Sequence, residues 1–350
     1  MERRILITTL CLAALAVGRA DAKKKPEPTV GTTPAAASAP APSSTFSTFR
    51  DAYDAGNGFL KDRKFDLAVD AYNQAEKLTS SASAKSQAAN TAGWTLIRAR
   101  RWNQALETLR RAAQIDPKNK VALGNLGYAS LKIYQYGLGG PDNLKEAAKA
   151  LEACSALDPA YKADLLESVK TIQSREDSYA QATPVAETPK AGMSFKGAVA
   201  LGDQAQAQGQ YDLAIQFFKR AEASASSPQA KGSASNRIGL ALLEYRRPKE
   251  ALEPFERAVK TDPKEKVFLN NLGLADWTLY DAGLGDQDSL RKSVDAFYKA
   301  NTMDASYHGE NLKMALDEYR EVDPVGSKDF DSKHDPATWE AAPMGSPTTE

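Results

Sequence analysis

The stretch DPKNKVALGNLG spans residues 116–127, and DPKEKVFLNNLG spans residues 262–273, 146 positions later. The same offset aligns FDLAVDAYNQAEKLTSSASAK at 65–85 with YDLAIQFFKRAEASASSPQAK at 211–231. Between these blocks the register continues without a gap. Similarity that keeps its register over such a distance indicates an internal duplication, in which the second half of the chain copies the first.

A shorter period lies within each half. A small residue is followed by an aromatic or large apolar residue between alanines, and the period ends in Asp-Pro. In residues 86–117 these positions are Gly93, Trp102, Ala105, Leu109, Ala112 and Asp116-Pro117, and in residues 232–263 they are Gly239, Ala251, Phe255, Ala258 and Asp262-Pro263. Small residues let two helices approach closely, and large ones fill the space between neighbouring units. Proline disfavours helix at the residue before it, which ends each unit.

This pattern resembles the tetratricopeptide repeat, a helix–turn–helix unit of about 34 residues. The resemblance implies an all-α fold, an α-solenoid built as two three-repeat halves. The expected units lie at about 47–80, 85–118 and 120–160, with copies at about 193–226, 231–264 and 266–306. No single unit can bury its apolar face alone, so several must stack.

The third unit of each half departs from the repeat. YQYGLGGPDNL at 134–144 and YDAGLGDQDSL at 280–290 predict a turn about eight residues longer than the family pattern. Asp142 or Ser289 is expected to cap the helix that follows. The segments 162–175 and 309–321 are expected to form a solvating helix that closes each half.

Composition divides the rest of the chain. The prediction is as follows: 1–22 signal peptide, 23–45 disordered Pro/Ala/Ser-rich tether, 46–175 first array, 176–192 linker, 193–321 second array and 322–350 disordered tail. The signal prediction depends on the basic start MERR, the apolar run ILITTLCLAALAVG and the small residues at Ala20 and Ala22. A helix of that run is about 21 Å long, short of a bilayer core of about 30 Å, so no transmembrane span is expected after cleavage.

The sequence offers no catalytic set, and the expectation is a protein that is not an enzyme. Its two histidines, His308 and His334, lie near the end of the second array and in the tail. A nucleophile needs a base held against it by folded structure, which neither position promises. Cys154 occupies the position of Ala300 in the copy, which favours a small buried role over a reactive thiol.

The sequence predicts no metal and no cofactor, because its cysteines and histidines lack ligand spacing and its acidic GLGDQDS turn lacks the last ligand of a calcium loop. Lys plus Arg and Asp plus Glu are 45 each, and no basic stripe is present, so nucleic acid is not an expected partner.

The resemblance implies that the first helix of each unit lines a groove for an extended peptide or a partner helix. Carried over by position, the partner-binding residues are Tyr53, Asn57, Asn90, Trp94, Arg98, Asn125, Tyr128, Lys132, Asn236, Asn270, Asn271 and Thr278. Amides can bond a ligand backbone and aromatic rings can anchor it. For Asn125 and Asn271 a structural role, tying helices together, is an equal alternative. Arg98 and Trp94 have become Glu244 and Leu240 in the copy, so the two grooves are expected to bind different partners.

The function predicted is a non-enzymatic, exported scaffold that binds other envelope proteins in a bacterial envelope complex for outer-membrane assembly, secretion or motility. The expected location is the periplasm, with secretion or the cell surface as the alternative. A second hypothesis is a factor associated with peptidoglycan or polysaccharide, for which Trp94, Tyr128, Trp277 and Tyr280 are the candidate aromatic platforms.

Overall fold

The computed structural model describes residues 46–304 and 307–334. The predicted signal peptide and tether, at 1–22 and 23–45, lie outside this part of the chain. Within it the regular structure is helical. The first seven helices are α1 (Phe49–Lys61), α2 (Phe65–Lys77), α3 (Ala82–Arg98), α4 (Trp102–Ile115), α5 (Lys120–Gln135), α6 (Pro141–Leu157) and α7 (Ala163–Gln181). The next eight are α8 (Phe195–Ala207), α9 (Tyr211–Ser224), α10 (Pro228–Glu244), α11 (Pro248–Thr261), α12 (Lys266–Asp281), α13 (Gln287–Met303), α14 (Gly309–Val322) and α15 (Pro324–Lys333).

The helices confirm the predicted α-solenoid of helix–turn–helix units. The pairs α1/α2, α3/α4 and α5/α6 form the first three units, and α8/α9, α10/α11 and α12/α13 form their copies. Consecutive helices also pack across the boundaries between units, as α2 does on α3 and α9 on α10. The second unit of each half begins three residues earlier than expected, because Ser81 Oγ and Ser227 Oγ accept hydrogen bonds from the backbone of the first turn.

The glycines of the repeat mark close contacts between the two helices of a unit. A Cβ added at Gly93 would lie 2.7 Å from Leu109 Cγ, and one at Gly239 would lie 2.6 Å from Phe255 Cε1. Each distance is too short for a real side chain. Leu109 and Phe255 are fully buried. The small-against-large pattern therefore sets the distance between the helices, as the sequence predicted.

The insertion in the third unit is mostly helical, which corrects the expectation of a long turn. Compared with the second unit, α5 is extended by three residues past its glycine, the turn gains two residues, and α6 starts three residues earlier. Gly and Pro marked the site of the insertion, but they did not show that the helices on both sides grow into it.

The expected caps are also corrected. Asp286 Oδ1 accepts hydrogen bonds from the backbone N–H groups of Asp288 and Ser289, at 2.9 and 3.2 Å, so Asp286 rather than Ser289 caps α13. Asp142 lies in the first turn of α6, where its charge favours the helix N-terminus without capping it.

The closing helices run further than expected. α7 reaches Gln181, and α14 ends at Val322. Immediately after α14, residues predicted to be a disordered tail form α15. Asp323 Oδ1 accepts from Gly326 N at 2.9 Å, and Arg320 pairs with Asp331 at 3.0 Å. Composition missed this helix because it does not show specific contacts such as this cap, this ion pair and the packing of Phe330 against Tyr298.

The segment between the halves is anchored at one point to the second array. The backbone N–H of Val185 donates to Gln210 Oε1 at 2.8 Å, and the Val185 side chain packs with Met193 against the core of that array. That core is built on Phe217, Phe218 and Phe255, each fully buried.

The chain divides into two compact units, each of which contains several repeats. The first contains the described residues up to Leu131 together with Asp142–Ile172, and the second contains Lys132–Pro141 and the described residues from Gln173 onward. Within the second unit Gly137, at φ 69°, lies against the backbone of Arg246, where a Cβ would be 2.1 Å from the Arg246 carbonyl oxygen. No described helix has the length and apolar composition of a membrane span.

Candidate partner-binding grooves

Two asparagine pairs join the first helices of neighbouring units. Asn125 Nδ2 donates to Asn90 Oδ1 at 3.0 Å, and Asn271 Nδ2 donates to Asn236 Oδ1 at 2.9 Å. All four side chains are buried. The bonds link α3 to α5 and α10 to α12, which is the structural role that the sequence left open for these residues. A part in recognition stays a prediction.

The second array extends this polar row by one step. Asn311 Nδ2, on α14, donates to Asn270 Oδ1, on α12, at 3.0 Å. The corresponding positions in the first half are Gly124 and Leu165, neither of which has a hydrogen-bonding side chain. The row therefore reaches the closing helix only in the second array, and Asn270 is 2% exposed.

Aromatic side chains lie on the first helix of each unit in the first array, of which Tyr53 and Trp94 are partly exposed. Tyr53 Oη and Thr91 Oγ1 share a hydrogen bond of 2.8 Å, which connects α1 to α3. One turn further along α3, the ring of Trp94 lies 6.1 Å from that of Tyr128 on α5. Asn57 is exposed and accepts from the hydroxyl of Tyr72 at 2.9 Å. The structure thus places Tyr53, Trp94 and Tyr128 on the first helices of three successive units, α1, α3 and α5, with Tyr128 the most buried.

Two positively charged side chains of the first array lie near aromatic rings, and one of these rings is that of Tyr128. The Arg98 guanidinium is 6.0 Å from the centre of the Phe65 ring, and Lys162 Nζ is 5.8 Å from the centre of the Tyr128 ring. A cation at this distance from a ring is attracted to its face. Lys162 has a left-handed backbone, φ 63°, at the residue that leads into α7. Sequence reasoning missed it because it lies between helices rather than on the first helix of a unit.

The equivalent face of the second array has different chemistry. Arg237 is hydrogen-bonded to Asp203, and Gln206 Nε2 donates to Glu244 Oε2 at 2.8 Å. Burial raises the pKa of the Glu244 carboxyl, against the opposing effect of the Gln206 bond. Leu240, which lies between Arg237 and Glu244 on α10, is partly exposed. The first half has Thr91 at the position of Arg237, Asn57 at that of Asp203 and Leu60 at that of Gln206. It has Arg98 at the position of Glu244 and Trp94 at that of Leu240.

Two predicted site residues are occupied by internal contacts. Lys132 is 2% exposed, with Nζ 3.9 Å from Asp281 Oδ2 and 5.1 Å from the Tyr136 ring centre. Thr278 Oγ1 donates to the Leu274 carbonyl at 2.7 Å within its own helix. Lys132 lies on the part of α5 that the insertion extends, which the family pattern does not describe.

Comparison with known proteins agrees with this geometry. The tetratricopeptide-repeat family profile matches residues 53–120 and 199–266, one segment in each half. Each half of the chain contains tetratricopeptide repeats. Repeats of this family generally mediate protein–protein interactions as scaffolds. No curated protein matches this repeat protein in sequence.

Solved structures similar to this repeat protein are also built of such repeats, at low identity. The TPR2AB-domain:pHSP90 complex of yeast Sti1 has 15% identity and a TM-score of 0.32, covering 76% of this chain and 98% of that one. A repeat protein of Parabacteroides merdae has 12% identity and a TM-score of 0.32, covering 77% and 98%. A thermophilic one from Thermus thermophilus has 17% identity and a TM-score of 0.29, covering 65% and 98%.

Two aromatic residues considered as platforms in the tetratricopeptide-repeat grooves are part of the core. Trp277 is 5% exposed and Tyr280 is 8% exposed, with their ring centres 6.0 Å apart. Tyr280 Oη donates to Glu318 Oε1 at 2.9 Å. They are corrected from candidate glycan platforms to packing residues of α12.

Three hydrogen-bonded polar residues of the first array, here called the trio, were not predicted from the sequence. Arg110 holds both carboxylate oxygens of Glu146, at 2.6 and 2.8 Å, and Ser130 Oγ donates to the same carboxylate at 3.1 Å. The three residues belong to α4, α6 and α5. A bidentate guanidinium–carboxylate pair is among the stronger polar contacts in proteins, so this trio ties three helices of the array together.

The second array inverts that trio. Glu256, Lys292 and Asp276 stand at the three equivalent positions. Burial raises the pKa of Asp276 to about 7, the positive charge of Lys292 opposes this, and the negative charges of Glu256 and Asp288 add to it. An alignment of the two halves shows the exchanged residues, but the inversion is recognised only when the contacts between the helices are also known.

The cysteine and the two histidines that the structure describes all contact neighbouring protein groups. Cys154 is fully buried, and burial raises the pKa of its thiol. His308 Nδ1 lies 3.0 Å from Glu310 Oε1 at the start of α14, and the ring centre of His334 lies 4.1 Å from that of Tyr298. Within residues 46–304 and 307–334, no group of three or more histidine, cysteine or acidic residues is placed to hold a metal ion.

Proposed function

We propose that this protein is a non-enzymatic scaffold of a bacterial cell envelope, which binds one protein partner on each array. The observation that carries the proposal is the contrast between two faces held on the same frame. The asparagine pairs Asn90/Asn125 and Asn236/Asn271 repeat the frame, while Trp94 and Arg98 are replaced by Leu240 and Glu244. Specific partners require differences of this kind in charge and shape.

The first array is the better candidate for an anchored partner segment. Trp94 is partly exposed against Tyr128, and a rigid aromatic side chain gives much contact area at little cost in conformational entropy. The neighbouring Arg98 favours a partner segment with an acidic residue. The second array, with Leu240 in place of Trp94 and Glu244 in place of Arg98, favours a different partner.

Export and an envelope location are part of the proposal. They are supported by the basic start, the apolar run and the small residues of the first 22 positions. The periplasm is the proposed compartment, and outer-membrane assembly, secretion or motility machinery is the proposed class of complex. An exported chain with a single cysteine after cleavage depends on its repeat packing rather than on disulfides for stability.

In-cell crosslinking of the tagged protein in its own bacterium, followed by mass spectrometry, tests the proposal. Trp94→Ala should deplete a defined set of envelope proteins from the captured material. Leu240→Ala, at the equivalent position of the second array, is the matched control and should leave that set unchanged. Each variant is first checked for an unchanged melting temperature. Asn90 is left intact, because its bond to Asn125 makes its replacement a packing change.

Capture of wall fragments instead of proteins would replace the scaffold with the second candidate, a factor associated with peptidoglycan or polysaccharide. The partly exposed Trp94 is the observation that keeps this candidate, since a ring face also stacks on a sugar. Muramidase treatment would then abolish capture, whereas protease treatment of the ligand fraction would not. Equal capture by the wild type and Trp94→Ala would remove the first-array groove from either function.

A further inference from the structure

The first unit of the first array presents apolar side chains whose counterparts in the copy are buried. Phe59, Phe65 and Val69, from the end of α1 and the first half of α2, are partly exposed. The second array has buried side chains at the same three positions, namely Ala205, Tyr211 and Ile215. We call Phe59, Phe65 and Val69 the end face of the first array. A terminal repeat with an apolar outer side needs a cover, because repeats bury such sides only against a neighbour.

In the second array this cover comes from the last part of α7 and the segment after it, which belong to the same compact unit. The ring centre of Tyr179, on α7, lies 6.1 Å from that of Tyr211, and the Tyr211 hydroxyl donates to the Tyr179 hydroxyl at 3.3 Å. Val185 packs against the apolar cluster that contains Ile215. The chain therefore contains one complete example of a closing helix that covers the end of an array.

The end face of the first array has no such helix before it in the described chain. The structure describes the chain from Phe46 onward, and within that part no helix precedes α1. The duplication also identifies the counterpart of α7. Residues 309–327 stand 146 positions after α7, and they form α14 and the start of α15. A segment equivalent to the cover is thus present after the second array.

This closing segment has an exposed apolar side chain at the position that makes the cover. Val325 stands where α7 has Tyr179, and at 76% it is the most exposed of the described large hydrophobic side chains. Proline interrupts a helix, so with Pro324 in place of a serine α14 and α15 are separate helices. α15 packs on α13 through the rings of Phe330 and Tyr298, which leaves Val325 in solvent.

Positive charge borders the end face. The Arg63 and Arg98 guanidinium groups lie 5.3 and 6.0 Å from the centre of the Phe65 ring. The turns at 61–64 and 98–101 together contain six basic residues and one acidic residue, whereas their copies contain two basic residues and one acidic residue. The added positive charge is therefore specific to the array whose end lacks a described cover.

The closing segment of the second array has the opposite charge. Residues 317–331 contain six acidic and two basic residues, whereas the matching residues 171–185 contain two acidic and one basic. The packing of α7 on the second array already uses an ion pair, between Glu176 and Arg246 at 3.2 Å. Arg100 stands at the position of Arg246 in the first array and has the same left-handed backbone, φ 62° against 61°. Opposite charges on two surfaces steer their association and fix its orientation.

We propose that the end face of one copy of this chain binds α14 and α15 of a second copy. Val325 packs on Phe65, and the acidic residues of the closing segment lie beside the basic turns. The contact joins two different surfaces, so each assembled pair keeps one of each and further copies can add head to tail. Trp94 takes no part in this contact, so the association is a separate property from the capture of a partner in the first-array groove.

Sedimentation velocity of the protein purified from its own cells, over a range of concentrations, tests this with two charge-reversed variants. Lys61→Glu/Lys64→Glu reverses exposed charges beside the end face, and Glu321→Lys/Asp329→Lys reverses exposed charges of the closing segment. The wild type should associate as its concentration rises, and salt should weaken the association by screening. Each variant alone should bind its own copies at least about tenfold more weakly, because like charges then meet.

An equimolar mixture of the two variants should regain the association, because each reversed surface then meets one of opposite charge. Lys77→Glu/Lys118→Glu is the matched control. It makes the same change of charge at exposed lysines near the opposite ends of the helices, and it should associate like the wild type. All variants are first checked for an unchanged melting temperature.

Photocrosslinking identifies the surfaces in contact. A photoreactive p-benzoylphenylalanine at Val325 should give a product of dimer size in which the second copy is joined through the fragment that contains Phe65. Leu157, 44% exposed at the end of α6, is the control position and should give no cross-link to that fragment.

A protein that sediments as a monomer at every concentration would overturn the proposal. Association that either charge-reversed variant retains in full, or a mixture that does not recover it, would do the same. A cross-link from position 325 to the Phe65 fragment in a product of monomer size would place the cover within one chain and would also overturn binding between copies.

Discussion

Asn125 on α5 donates a buried hydrogen bond to Asn90 on α3, and the second array repeats the bond between Asn271 and Asn236 to within 0.1 Å. Duplicated chains diverge wherever packing permits, and here the two residues of each pair stayed together. The bond joins the second and third units of each array rather than the two helices of one unit, so it restrains how the third unit is rotated on the second.

We expect Asn125→Ala to lower the free energy of unfolding by about 1–3 kcal/mol, because it leaves the buried amide of Asn90 without its partner. The double variant Asn90→Ala/Asn125→Ala should cost less than the sum of the two single variants. Urea denaturation of the four proteins gives the coupling energy as a double-mutant cycle. Strict additivity would show that the pair contributes nothing as a pair.

A substitution at Gly137 tests its contact with Arg246, which lies within the second of the two compact units. Gly137→Ala places a Cβ 2.1 Å from the Arg246 carbonyl oxygen at a backbone with φ 69°, so both the contact and the conformation oppose it. We expect a loss of about 1–3 kcal/mol in stability. Gly140→Ala is the matched control, because nothing lies within 4 Å of a Cβ there. Equal melting temperatures for the two variants would contradict the contact.

Asp276 should make the stability of the second array depend on pH. Its folded pKa, about 7, is raised above the usual 3.8, so the folded state holds a proton that the unfolded state has released. Its contribution is fully present below about pH 4 and is lost as the pH rises through 7, with a slope of up to about 1.4 kcal/mol per pH unit between them. Asp276→Asn should remove this slope.

Denaturant titrations at several pH values between 4 and 8, with the two proteins compared at each, measure that difference. Lys292, Glu256 and Asp288 are the charged groups that act on Asp276, and they are unchanged in the variant. Parallel curves for the wild type and Asp276→Asn would mean that the carboxyl is ionised in the folded protein at all these pH values.

Cys154 should resist alkylation until the first array unfolds. Its side chain is fully buried, its Sγ lies 3.3 Å from the Lys120 carbonyl oxygen, and burial raises the pKa of the thiol. Since the thiolate is the reactive form, both effects slow modification. The rate of reaction with iodoacetamide, measured in a Cys11→Ser chain with and without urea, checks this. A fast reaction without urea would place the thiol at the surface.

The fold was readable from the sequence because small and large residues recur at positions that only stacked helical hairpins explain. Gly93 against Leu109 and Gly239 against Phe255 are contacts that the period itself predicts. The candidate site was less readable. The family pattern assigns Asn90 and Lys132 to a groove by position, but it does not show that Asn125 or Asp281 meets them.

Contacts between units depend on the rotation of one unit against the next, and the period does not contain that angle. For the same reason Arg110, Glu146 and Ser130 gave no signal in the sequence. The ten residues of α15 gave none because their contacts, such as Phe330 with Tyr298, are few and specific to this chain.

The inverted trios have a consequence for how a chain with two nearly identical halves folds. During folding, a helix of one half could pair with the neighbour meant for its copy, which is the characteristic error of repeated sequences. If α4 packed on α13, Arg110 would face Lys292, and if α11 packed on α6, Glu256 would face Glu146. Each exchange brings like charges together, so the inversion disfavours the pairing of α4 or α6 with a helix of the other half during folding.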